Sequence, residues 1–68
     1  MSLEVKDFIT ALRARMRFYQ VSPDEQEAIT EAILAEYEAV PGPIREIAWA
    51  VLVERGYIGL AQQVTIQS

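Results

Sequence analysis

The sequence has 68 residues, 51% of them hydrophobic, and a formal charge of −4. It contains no cysteine and no histidine, which excludes disulfides and thiolate ligands and removes the commonest metal ligand and general base. A domain of this length buries only about 60% of the surface its unfolded chain exposes. With no covalent or metal staple, its stability must come from helix packing or a second chain, and the large apolar fraction favours a homodimer.

No run of roughly eighteen apolar residues is present, so no segment reads as a membrane span, and MSLEVKDFIT lacks the basic and apolar regions of a signal peptide. A cytoplasmic location is expected, and the type is that of the short acidic proteins encoded by phage and plasmid genomes.

The first segment, LEVKDFITALRARMRFY, repeats apolar residues at three- and four-residue spacing. Val5, Phe8, Ile9, Leu12, Met16 and Tyr19 thereby share one helical face. Ser2 is placed to cap the start, and Lys6, Thr10, Arg13 and Arg17 form a neighbouring stripe.

The second segment starts at VSPDE, where Ser22 is a good N-cap and Pro23 suits the first helical position. Glu25 stands where a capping box requires it. Asp24, Glu25 and Glu27 set negative charge on the positive end of the helix dipole. Ile29, Ala32, Ile33, Tyr37 and Val40 are the expected inward face. VPGP ends the helix, because Gly42 and two prolines do not continue it.

A third helix runs from about Pro43 to Arg55, with Gly56 as a left-handed cap. Ile44, Ile47, Ala48 and Val51 line one side, and Trp49, Leu52 and Val53 another. A helix this apolar is buried on two sides, so its second face, Trp49, Leu52 and Val53, is the candidate dimer interface. In the tail, Leu60, Ala61 and Val64 suit a short helical turn, whereas Val64 and Ile66 alternate as in a strand. The expected fold is therefore all-α: one small three-helix domain over residues 1–68, with helices at about 3–19, 23–39 and 43–55. Residues 56–68 form a short C-terminal turn or extended tail.

Catalytic equipment is sparse. The available nucleophiles are Ser2, Ser22, Ser68, Thr10, Thr30, Thr65 and Lys6, none with an evident base beside it. Glu27 and Glu31 are one helical turn apart, but a hard cation needs several converging oxygen ligands. No enzyme activity, cofactor or metal is expected.

AWAVLVERGYIGL followed by VTIQ resembles the end of a winged helix-turn-helix domain, where a helix ending in Arg-Gly-Tyr-Ile runs into a strand and a short wing. The resemblance covers about the last third of the chain. It implies DNA binding through residues 44–55, with Arg45 and Arg55 as the cations. The net charge runs opposite to the electrostatic footprint of a DNA binder, which ranks this reading second.

Charge lies in blocks. Residues 1–20 have four basic and two acidic side chains; residues 21–40 have six acidic and none basic; residues 41–68 have two of each. The blocks of +2, −6 and 0 sum to −4. On a helical wheel Asp24, Glu27, Glu31 and Glu38 form one stripe with Leu34 beside it, facing away from the core. The bland account is a solvated face that keeps a small apolar protein soluble. The sharper expectation is a protein–protein interaction module whose stripe covers the basic, nucleic-acid-binding surface of a larger partner. It would inhibit or regulate that partner through Glu27, Glu31, Leu34, Tyr37 and Glu38. An accessory subunit of a larger complex is the third possibility.

Overall fold

The computed structural model describes residues 2–65. It is all-helical, with α1 (Leu3–Phe18), α2 (Pro23–Ala39), α3 (Ile44–Glu54) and α4 (Ile58–Thr65). The count is four rather than three, because the segment expected as a turn or tail is a helix whose Leu60, Ala61 and Val64 are buried. Eight residues are too few for an isolated helix in water, so packing of that apolar face holds α4 together. Among the described residues there is no strand, and the wing implied by the winged-helix resemblance is absent from residues 57–65. Ile66, half of the strand pattern, lies outside the described residues.

The helix ends follow local chemistry. Ser2 and Ser22 each accept a bond from the backbone N–H three residues on, Val5 and Glu25, both at 3.2 Å. At α2 the reciprocal half of a capping box is replaced: the Glu25 carboxylate turns to the Arg55 guanidinium, also at 3.2 Å. Val40, before Pro41, has the extended backbone (φ −124°, ψ 127°) that the proline ring imposes on its predecessor.

The two C-terminal turns, α1 to α2 and α3 to α4, share one construction. After α1, Gln20 donates to the Arg17 carbonyl and Val21 to that of Met16. After α3, Gly56 donates to Val53 and Tyr57 to Leu52. Each is a Schellman motif with a left-handed residue at its pivot, Gln20 at φ 60° and Gly56 at φ 91°. Val21 and Tyr57, one residue beyond each pivot, turn back onto the hydrophobic core.

That core is built on α3, which packs against all three other helices, while α2 and α4 do not touch. Ile44, Ile47, Ala48 and Leu52 of α3 meet Val5, Phe8, Ile9, Leu12 and Met16 of α1 and Ile29 and Ile33 of α2. The inward face of α2 differs from the expected one. Thr30 is buried beside Ile29 and Ile33, whereas Tyr37 and Val40 are exposed. Both point the right way around the helix, but α2 runs past the end of the core, so nothing covers its last turn. Tyr19, expected on the α1 face, is the exposed C-cap residue.

Opposite substitutions at the two pivots are expected to have opposite effects. Gly56→Ala places a Cβ in the left-handed region and is expected to destabilise by about 1–2 kcal/mol. It meets no atom within 4 Å, so the cost is conformational. Gln20→Gly relieves the same penalty and is expected to stabilise by about 0.5–1 kcal/mol. Ser22→Ala is expected to lose about 0.5–2 kcal/mol with its cap. Denaturation in urea measures all three; a destabilised Gln20→Gly would show that handedness does not control the first turn.

Candidate functional site

Asp24, Glu27, Glu31 and Glu38 are all exposed along the outer side of α2. A rise of 1.5 Å per residue stretches the row over about 21 Å from Asp24 to Glu38. Part of the row is neutralised within the chain: Arg13 of α1 lies 3.5 Å from Glu27. Such an exposed pair contributes about 0–1 kcal/mol, but it fixes where α1 presents its charge. Among the described residues Asp24, Glu31 and Glu38 have no ion-pair partner.

Leu34 is not the exposed anchor expected beside this row. It is half-buried and packs against the core, because it stands at the edge of the inward face. Tyr37 is exposed near the C-terminal end of α2, about 100° around that helix from Glu38.

The three candidate dimer residues separate in the same way. Leu52 is 0% exposed and belongs to the chain's own core, so it is unavailable to a partner. Val53 is half-buried against that core. Trp49 is 45% exposed, beside Arg45, Glu46 and Thr65 in a shallow depression.

Both cations of α3 are tied down. The Arg45 guanidinium donates to the Val64 carbonyl at 3.2 Å, at the C-terminal turn of α4, and lies 5.7 Å from the centre of the Phe8 ring. It thus complements the negative end of α4 and covers an aromatic face. Arg55 is held by Glu25. These are the two side chains that DNA recognition through α3 would require.

Four of the candidate hydroxyls likewise have structural partners, and Ser68 lies outside the described residues. Ser2 and Ser22 cap helices, while Thr10 and Thr65 donate to carbonyls one turn earlier, those of Lys6 and Ala61. Thr30 is buried with its hydroxyl unpartnered among the described residues. Among those residues no group of three or more carboxylates converges as a metal site would need, and Glu27 and Glu31 lie open to solvent.

A feature that the sequence pattern did not bring out lies between α2 and α3, a groove of ≈ 590 Å³. Ala32, Glu36 and Val40 form one wall at helical i, i+4, i+8 spacing, and Glu46, Ala50 and Glu54 form the other. Ile47 and Val51 are its floor, Pro41 and Gly42 close one end, and Arg55 stands at the other. Small alanines midway along both walls keep it open. Residues 46, 50 and 54 are adjacent on a helical wheel, but nothing in the sequence tells that α2 lies beside them.

Comparison of the chain with protein-family models, curated proteins and solved structures finds no match in any of the three.

Three substitutions rank the burial of these side chains. Leu52→Ala is expected to lose about 2–5 kcal/mol, as for a fully buried leucine. Trp49→Ala is expected to lose clearly less, since nearly half of its surface is already wet. Leu34→Asp is expected to lose about 1–3 kcal/mol through a partly desolvated charge. Denaturation midpoints at equal slope check the order; an undisturbed Leu34→Asp would return Leu34 to the exposed face.

Proposed function

We propose that this protein is a binding module, acting without catalysis, that regulates or inhibits a larger protein by laying the acidic outer face of α2 on a basic, nucleic-acid-binding surface. The observation that carries this reading is the division of charge. Arg55 and Arg13 pair with Glu25 and Glu27, and the exposed row of Asp24, Glu31 and Glu38 has no ion-pair partner among the described residues. A rigid row of carboxylates produces a focused negative potential that steers a basic partner and orients it on arrival. Exposed charge of this kind acts mainly on association rate and salt dependence. Affinity then requires an apolar anchor, and with Leu34 turned into the core that anchor must come from elsewhere on the surface.

A homodimer through the exposed side of α3 belongs to the same proposal. Trp49 and Val53 would be its contacts, without Leu52. Winged-helix DNA binding is the less supported alternative, since Arg45 and Arg55 are engaged within the chain.

Affinity capture with the intact protein and with Glu31→Lys combined with Glu38→Lys is the test. Both side chains are exposed, so the double variant is expected to keep its fold by circular dichroism. It is expected to lose the basic proteins that the parent recovers, with association slowed about tenfold or more at low ionic strength and the difference shrinking in high salt. Tight binding of duplex DNA by the parent, unchanged or improved in the variant and lost in Arg45→Ala, would overturn the proposal in favour of direct recognition.

A further inference from the structure

The walls of the α2–α3 groove carry three carboxylates, Glu36, Glu46 and Glu54, and none has an ion-pair partner among the described residues. Its floor is apolar, and the single cation lining it, Arg55, is already neutralised by Glu25. Apolar floor and acidic walls together favour one class of occupant.

We infer that the α2–α3 groove docks a basic amphipathic α-helix of a partner protein, whose apolar side lies on Ala50 and Val51 while its cations meet Glu46 and Glu54. The backbone chemistry selects a helix. Both walls are helices whose backbone groups are already paired, so an extended peptide would bring N–H and C=O groups with nothing to bond to. A helix enters with those groups satisfied and offers only side chains. The spacing is also defined. Glu46 and Glu54 are eight residues apart, about 12 Å along the axis at 1.5 Å per residue. A facing helix matches that span with Lys or Arg at i and i+7 or i+8, and with apolar residues at i+3 and i+4 between them.

This inference rests on the proposed binding of a basic partner and supplies the anchor that the outer row of α2 lacks. It differs in place: Ala32 and Glu36 line the groove, whereas Asp24, Glu31 and Glu38 do not.

The probe is a synthetic helical peptide with Lys at i and i+7 and Leu at i+3 and i+4, titrated into the isotope-labelled full chain. The control peptide carries Glu in place of Lys. The amide resonances of Ala32, Glu36, Ala50, Val51 and Glu54 are expected to shift with the Lys peptide and not with the control. Glu46→Gln combined with Glu54→Gln is expected to weaken binding roughly five- to tenfold, as for two lost charge pairs on a wet rim. Ala50→Trp fills the groove from an exposed position and is expected to abolish binding without loss of helicity. Three outcomes overturn the inference. Shifts confined to Asp24, Glu31 and Glu38, indifferent to Ala50→Trp, would leave the acidic-face proposal standing and remove the groove. Equal binding of the Glu peptide would remove the role of the walls. Groove shifts on raising protein concentration alone would make a second copy of this chain the occupant.

Discussion

Leu52 and Ala48 have no accessible surface, and the helix that carries them touches each of the other three. With neither cysteine nor histidine in the 68 residues, only packing joins the four helices. Since α2 and α4 do not meet, their relative position is carried by α3, which packs most extensively on both, and by α1, which also touches each. The four inward residues of α3, Ile44, Ile47, Ala48 and Leu52, stand at the centre of that arrangement. The remaining side of α3 is exposed, and it carries both Trp49 and the Glu46–Ala50–Glu54 wall.

The charge of the protein is arranged around the same constraint. The cations of α3 and one of α1 are used for joining: Arg45 closes α4 against Phe8, Arg55 holds the start of α2, and Arg13 reaches across to Glu27. Each pair is worth little by itself at an exposed position. Together they remove positive charge from the surface where α2 and α3 meet. What the surface then presents is carboxylate, on two sides of α2 with different surroundings. The outer row has no apolar neighbour free to act as an anchor, while the groove combines charge with an uncovered apolar floor. In the proposed function the outer row steers a partner on arrival and the groove holds it.

The limits of local pattern are visible in particular residues. Helix starts were legible at Ser2 and Ser22 because a cap is a bond within three residues, and the stop at Gly56 because handedness is a property of one residue. The left-handed pivot at Gln20 carried no such signal, glutamine being an ordinary helix former. Periodicity placed Tyr37 and Val40 on the correct side of α2, yet it could not show that the core ends before they do. Leu34 stands on the boundary between two faces, where a wheel assigns either side and only packing decides. Glu25 had a local partner within reach in its own cap and took a distant one instead.

The sequence by itself determined the all-helical class, the caps at Ser2 and Ser22, the stops at VPGP and Gly56, and the concentration of acid on α2, because each depends on chemistry within one turn of helix. The tertiary structure alone decided that the tail completes the core as α4, since so short a helix exists only where Leu60, Ala61 and Val64 have something to pack against. It also decided which carboxylates are neutralised and which stay open, and that Ala32 and Ala50, eighteen positions apart in the chain, face each other across a groove. Those outcomes depend on how α2 lies across α3, a relation between distant residues that no local spacing records.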